Sequence, residues 1–557
     1  MIILSVAYNI MSEPASTNTA KRRFPKFLSP FGDLKCQPCT LIELKMMITV
    51  LEVIKSKPYW YEKVQNKSIR DKWMDEINSQ DILSDNSQLK YIFDELLYYS
   101  SISSRLLSPA SVDCVWMSDH IIDGALHQRL ADLVAPLEAT CTDFHPGSND
   151  QVLDLVHPHM YPYVSGLSRV VDDDTLPWNR FIGAGEAQWE EDEGVDYLHW
   201  YDEQEDTMSS TTYQWLPSEV QVNEEGKCKF ISYINNLHPR KHAELYNVLE
   251  LILERFLPLF NQVLTNLAHL RSRRHKPDLN IDKYDDFWES PDLYYYDDEE
   301  EEEEEEGDTQ YKNDKVLKPE FTVVKPFKPH APRSHIDLKG SRLQVIVKLA
   351  SIILTPEKPT YDGGNWHIEG MKNENIIASG IYYWYSENIT ESKLSFRTSV
   401  DCPENHKGVF DELLAVFGLS VDEPLIQDVG AVTCIQGRCL CWPNILQHKV
   451  EGFQLEDPTL PGIRKVLVFF LVDPNACIKS TALVPPQQQS WMEMELDRIH
   501  IFSRLPLEVR ELIMQYTWHF THDMALEVRE DVMDERKYFV DSNTQKPVLR
   551  EYDLCEH

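Results

Sequence analysis

Hydrophobic positions along this chain follow two periods, and the change from one to the other divides it. From Thr40 to about Arg274 apolar residues recur mostly at i, i+3, i+4 and i+7, the spacing that gathers one stripe on a helix. The stretches LIELKMMITVLEVI and HAELYNVLELILERFLPLFNQVLTNLAHL both carry it. The second runs into RSRRHKP, where basic side chains suit a helix C-terminus and the proline forbids continuation. Shorter pieces between them, such as KCKFISYINNLHP, have strand character. After about Lys318 the apolar runs become short and β-rich: SRLQVIVKLASIILTP, NIIASGIYYWYSE, SKLSFRTSV, GAVTCIQGRCLCW, HKVEGFQL and RKVLVFFLVDP. Gly, Pro, Asp or Asn separates them, which is the pattern of a sandwich, jelly roll or barrel. From about Gln489 the helical period returns in LPLEVRELIMQYTW and HDMALEVREDVMDERKYFV.

These shifts predict an α+β protein in five parts. Residues 1–30 are polar, rich in Pro, Ser and Lys, and are expected to be disordered. Residues 31–275 form a mainly helical region, 276–317 an acidic linker or inserted loop, 318–478 the β-rich domain, and 479–557 a helical C-terminal segment. At 557 residues the chain exceeds one ordinary core.

Charge sharpens the picture. The formal charge is −37, and the 16 acids against one base between Asp282 and Asp308 supply −15 of it, leaving −22 elsewhere. Such a balance excludes nucleic acid and anionic membrane surfaces as partners, since both demand a basic footprint. Ten consecutive acids from Asp297 to Glu306 repel one another and read as a solvated segment; a binding site for a basic protein partner is the alternative. No window approaches the ~18 apolar residues of a transmembrane helix. The opening MIILSVAYNI lacks the flanks of a signal peptide. Eleven scattered cysteines suit reduced thiols. A soluble cytoplasmic protein is expected, with the nucleus not excluded.

The chemistry concentrates in GGNWHIEG and in the β-runs downstream of it. In extended chain i and i+2 share a face, so His367 and Glu369 project an imidazole and a carboxylate side by side. Two imidazoles and one carboxylate on one face of a metal leave positions open for substrate and oxygen. His448, after the Pro443–Asn444 pair and before HKVEGF, offers the second imidazole from a later strand. Arg464 opens the most apolar strand, PGIRKVLVFFLVDP, where a guanidinium needs an anionic partner and fits a carboxylate in bidentate fashion. Lys348, on an apolar strand and sharing a face with Gln344, is a candidate for cosubstrate binding, as is Arg397 in SFRTSV. Of the other candidates, His157 and His159 in HPHMYP repeat the i, i+2 spacing, show no acid beside them and are expected to pack in a loop. The CQPC pair, Cys36 and Cys39, lacks a second ligand pair and reads as two free thiols, while Cys434, Cys439 and Cys441 read as small core residues. LPLEVRELIMQYTW resembles the start of an F-box-like helix and is explained equally well as a proline-started amphipathic helix.

The order His-x-acid, distal His, then a basic residue opening the last strand resembles the 2-oxoglutarate- and Fe(II)-dependent oxygenases. HKV followed by GIRKVLVFF is similar to the last two core strands of their prolyl-hydroxylase-like branch. That resemblance, over roughly Leu343 to Pro474, implies a double-stranded β-helix (jelly-roll) core. It also implies His367, Glu369 and His448 as iron ligands and Arg464 as the anchor of the far carboxylate of 2-oxoglutarate. The acid departs from the superfamily's usual Asp. Over a longer span, HPHMYPYVSGLSRV, YQWLPSEV, SYINNLHP and LTPEKPTYDGGNWHIEG are similar to a fungal family of unknown function.

Two functions are compatible with these residues. One is an oxygenase, a hydroxylase or demethylase, acting on a small molecule or a protein. The other is a non-catalytic scaffold that binds partners through its helical flanks and acidic segment. A zinc hydrolase also uses two His and one Glu, yet the helical H-E-x-x-H arrangement is missing and Arg464 would have no task.

Overall fold

The computed structural model describes residues 24–543, leaving out 189–207, 270–325, 401–416 and several shorter stretches. The acidic run, the RSRRHKP helix end and the first 23 residues lie outside the described set. The expected disordered start ends earlier than residue 30, because Phe24 and Phe27 are buried in the main core.

Six helices come first: α1 (Leu41–Ser56), α2 (Trp60–Lys63), α3 (Lys67–Asn78), α4 (Asn86–Ile102), α5 (Gly124–Glu138) and α6 (Ala243–Ala268). Helix α1 starts on a capping box, in which Thr40 Oγ1 accepts the Glu43 N–H and Glu43 accepts the Thr40 N–H. Between α4 and α6 lie nine strands: β1 (Ser108–Pro109), β2 (Trp116–Ser118), β3 (Val152–Val156), β4 (Tyr163–Val164), β5 (Arg169–Val170), β6 (Glu186–Ala187), β7 (Tyr213–Gln214), β8 (Ser218–Val222) and β9 (Cys228–Phe230). The region expected to be mainly helical, 31–275, is therefore mixed. Strands of two to five residues are too short to show a period of their own; β3 and β8 exist because both pair with a long strand far along the chain.

The C-terminal half supplies β10 (Arg342–Leu354), β11 (Thr360–Gly363), β12 (Ile376–Glu387), β13 (Lys393–Ser399), β14 (Ile426–Thr433), β15 (Cys439–Pro443), β16 (Leu446–Gln454) and β17 (Gly462–Val472). Helices α7 (Gln489–Asp497), α8 (His500–Ser503), α9 (Leu507–Gln515) and α10 (His522–Asn543) come last. The larger sheet runs β1-β2-β15-β12-β17-β10-β8-β9, with β3 also on β10; the smaller runs β11-β16-β13-β14. Every pairing between these strands is antiparallel.

Strand β17 shows how the large sheet divides its two faces. Leu467, Phe469 and Leu471 face helix α6, with the Phe256 and Phe469 rings 5.6 Å apart. That contact needs Gly380, opposite Phe469: a Cβ there would lie 2.8 Å from Phe256 Cδ1 and 2.9 Å from Phe260 Cζ. Arg464, Val466, Val468 and Phe470 project from the other face, which also carries Lys348 (opposite Val468) and Tyr383 (opposite Val466). Among the described residues no helix is long and apolar enough to cross a membrane.

Candidate metal centre

Main-chain pairing sets the site. Between β11 and β12 the chain returns alongside β16, where His367 and His448 exchange backbone hydrogen bonds of 3.1 and 2.9 Å. Gly363 allows the approach: its φ is +98°, and a Cβ there would stand 2.7 Å from the Val450 carbonyl oxygen. Asn444, fully buried at the β15–β16 turn, clamps the other end. Its Oδ1 accepts the Glu369 N–H at 2.8 Å, and its Nδ2 donates to the carbonyls of Glu369 (2.8 Å) and Ile376 (2.9 Å). In the sequence Asn444 is only half of a turn signal, and its clamping role has no local signature.

The structure brings His367, Glu369 and His448 together, one donor atom of each lying within 4.8 Å of the others. Glu369 Oε1 is 3.2 Å from His448 Nε2 and 3.8 Å from His367 Nε2. His367 Nδ1 donates to the Asn365 carbonyl at 2.8 Å, which fixes a proton on Nδ1 and makes Nε2, once deprotonated, the nitrogen that can ligate. The His448 ring sits against Trp442 (5.0 Å) and Phe396 (6.4 Å). The His448 side chain is 5% exposed and that of His367 38%, so the cluster opens to solvent on the His367 side.

Electrostatics favour an anion held between two imidazoles. Burial would raise the Glu369 pKa, but hydrogen bonds from His367 and His448 outweigh it and hold the carboxyl well below its usual range. Burial likewise works to lower the His367 pKa, and the hydrogen bond and charge of Glu369 reverse that, leaving it raised. For His448, burial and the facing His367 prevail and the pKa is lowered.

Arg464 projects into the same interior and is 1% exposed. It donates through Nη1 to Ser392 Oγ, and its guanidinium lies over the rings of Tyr383 (4.6 Å) and Phe453 (5.5 Å). Its Nε has no partner, and no carboxylate lies within 4.0 Å of it among the described residues. Ser379 Oγ, Tyr383 Oη and Trp442 Nε1 are also buried without partners. Lys348, on the same sheet face, likewise has no described carboxylate within 4.0 Å, and its charge is felt at His367.

Two expectations are corrected. Arg397 does not join the cluster: paired opposite Gln447, it projects from the face of the small sheet away from His448 and stacks on Trp366 at 4.7 Å. His157 and His159 do have an acid beside them. Asp154 on β3 lies three residues upstream of His157, and D-x-x-H-x-H is the sequence signal that carries it.

Comparison with known proteins adds a family and no established activity. No curated protein matches the chain. Solved structures give distant likenesses. A bsmA homolog from Methylobium petroleophilum PM1 is 11% identical over 24% of this chain and 42% of that one, with a TM-score of 0.16. TqaL, an Fe(II)/α-ketoglutarate-dependent dioxygenase, is 10% identical over 65% of this chain and 96% of its own, at 0.20. EvdO2 from Micromonospora carbonacea var. aurantiaca, complexed with 2-oxoglutarate, is 16% identical over 23% and 52%, at 0.14. The chain thus spans less than half the length of the first of these, and such scores establish no shared fold. Residues 4–76 match the model described as the N-terminal domain of unknown function DUF4246. Residues 86–495, well over half the chain, match the protein of unknown function DUF4246, and the chain belongs to that family.

Proposed function

We propose that this protein is an Fe(II)- and 2-oxoglutarate-dependent oxygenase, a hydroxylase or demethylase, whose two facing sheets form a double-stranded β-helix. The observation that carries the reading is Arg464. The guanidinium is buried with its Nε unpartnered and no carboxylate beside it among the described residues, and a dicarboxylate ligand supplies the missing partner in bidentate geometry. Strand β13 links that cation to the histidines. Ser392, just ahead of the strand, takes Arg464 and Phe396 touches His448; at ~3.3 Å per residue these positions are ~13 Å apart. An arginine arm and a five-carbon diacid can share that span.

His367, Glu369 and His448 would hold the metal. The donor set fits iron(II): two imidazole nitrogens facing an ionised carboxylate, and an open side at His367. When bound, iron and 2-oxoglutarate supply an oxidation in which O2, 2-oxoglutarate and a C–H bond become succinate, CO2 and a C–OH bond. The chain's own residues bind and orient. Arg464 fixes the far carboxylate, Lys348 adds a second positive charge to the same wall, and Asn444 holds the Glu369 backbone in place. Trp442, Phe396 and Tyr383 exclude water from the inner end. The substrate, a small molecule or a protein side chain, would approach from the His367 side. A non-catalytic scaffold or a zinc hydrolase leaves the lone guanidinium unexplained.

Anaerobic addition of Fe(II) and then 2-oxoglutarate should give the weak visible charge-transfer band of the chelate. His367→Ala should abolish it. Absence of the band in folded wild-type protein would sink the proposal.

A further inference from the structure

A second cluster of donors lies at β3 and on either side of it. Asp154 pairs opposite Ala350, so its carboxylate projects from the sheet face that carries Lys348 and Arg464. The side chain is fully buried. One oxygen, Oδ2, is 2.7 Å from His145 Nδ1 and 4.0 Å from His157 Nε2. The other, Oδ1, has no partner, and no Lys or Arg lies within 4.0 Å of the carboxylate among the described residues. His159 stacks 4.6 Å from His157 and 5.2 Å from Trp215, and both of its ring nitrogens are buried without partners.

Hydrogen bonding inside the cluster leaves three buried polar atoms unsatisfied, whereas a cation would satisfy the carboxylate and draw in the imidazoles. We propose that His145, Asp154 and His157 form a second divalent-metal site of the zinc type, separate from His367–Glu369–His448, with His159 in reach as a fourth ligand. One donor atom from each of the three already lies within 4.8 Å of the others. Tetrahedral ligands ~2.05 Å from zinc stand ~3.3 Å from one another. The 2.7 Å contact therefore opens, and the 4.0 Å contact closes, by similar small amounts. His157 gives up one long bond on loading, since its Nδ1 now accepts the His159 N–H at 3.2 Å. Burial keeps His157 and His159 well below the usual imidazole pKa, hence neutral, the form that ligates.

The site would tie the loop before β3 to the turn after it. Helix α10 docks on that loop, with Arg529 bonded to Asp143, two residues before His145. A metal here would therefore stiffen the seat of the C-terminal helix as well as one wall of the interior.

The test is metal content of the full-length protein after chelation and reloading with Zn(II) under anaerobic conditions, read by elemental analysis. Wild type should hold two equivalents. Asp154→Asn and His145→Gln should each hold one, His367→Ala one, and the Asp154→Asn/His367→Ala pair none. Cobalt substitution provides a spectrum for each site separately. Because the two sites lose metal through different variants, failure of the oxygenase reading and failure of this one are distinguishable. Should Asp154→Asn fold poorly, His145→Gln and His157→Gln, judged by circular dichroism, decide the matter. Stoichiometry unchanged in folded variants of the second cluster, or a single equivalent in wild type that only His367→Ala removes, overturns the proposal.

Discussion

Replacing Arg464 by methionine separates the cost of a buried charge from its use. Removing an ion from water costs several kcal/mol even after relaxation. Against this, the guanidinium gains one charge-assisted hydrogen bond to Ser392, about 1.5–3 kcal/mol. It also gains contacts with the Tyr383 and Phe453 faces, about 2 kcal/mol at a desolvated site. The gains and the cost nearly cancel, and methionine fills a similar volume. Without ligand, Arg464→Met should therefore unfold in urea within about 1 kcal/mol of wild type. With ligand the two diverge. Breaking a buried carboxylate–guanidinium pair costs about 3–5 kcal/mol, or roughly 150- to 4,000-fold in affinity for 2-oxoglutarate. At about 100 times the wild-type Kd, the ligand adds about 2.7 kcal/mol to the wild type and at most about 0.3 kcal/mol to the variant. Paired urea titrations with and without 2-oxoglutarate, in the presence of metal and absence of oxygen, read both effects. A ligand-free loss above about 3 kcal/mol would make Arg464 a structural residue. Equal stabilisation of both proteins by 2-oxoglutarate would remove it as the anchor.

Asn444→Ala strips three buried hydrogen bonds from the turn and should cost about 3 kcal/mol in urea while weakening metal binding; unchanged metal affinity would show that the Glu369 clamp is dispensable. Metal affinity should fall with pH by about tenfold per unit below the folded pKa of His367, because that proton must leave before Nε2 can ligate. Since the His367 pKa is raised, the fall begins above the ordinary value near 6.5, whereas His448, whose pKa is lowered, adds no competition there. Cobalt titrations between about pH 8 and about pH 5 check this, and a flat profile refutes it. Gly380→Ala drives a methyl into Phe256 and Phe260, so it should lose about 1–3 kcal/mol with metal stoichiometry intact. Loss of metal there would mean that the outer face of the sheet controls the site.

The long elements were legible because each carries enough residues to display its period. The apolar stripe of α6 and the β-runs that became β10, β12 and β17 stand plainly in the sequence. Of the nine strands from β1 to β9 only β9, inside KCKFISYINNLHP, showed strand character, because a strand of two to five residues becomes a strand only when a partner arrives. β3 and β8 exist because β10, at thirteen residues, outruns either neighbour and takes both on one edge. That pairing is long-range information, and no local window contains it.

The same reasoning divides the two donor clusters. His367-x-Glu369 could be read because both side chains belong to one extended segment, and His448 and Arg464 because each opens a recognisable strand. Asp154 escaped because its strand escaped: with β3 unassigned, His157 and His159 stood alone, and an acid three residues upstream carried no geometric meaning. Once β3 lies on β10 in register, parity decides the rest. Asp154 opposite Ala350 must face inward with Lys348 and Arg464, while Arg397, opposite Gln447, must face away from His448. A one-residue slip of β3 would turn the Asp154 carboxylate to the opposite face of the sheet, beside the Glu138 carboxylate that Ser351 and Lys465 already hold there, where a second acid is repelled. The register that builds the fold is thus the register that gathers the ligands, which is why neither cluster can be lost by sliding a strand without also exposing the core.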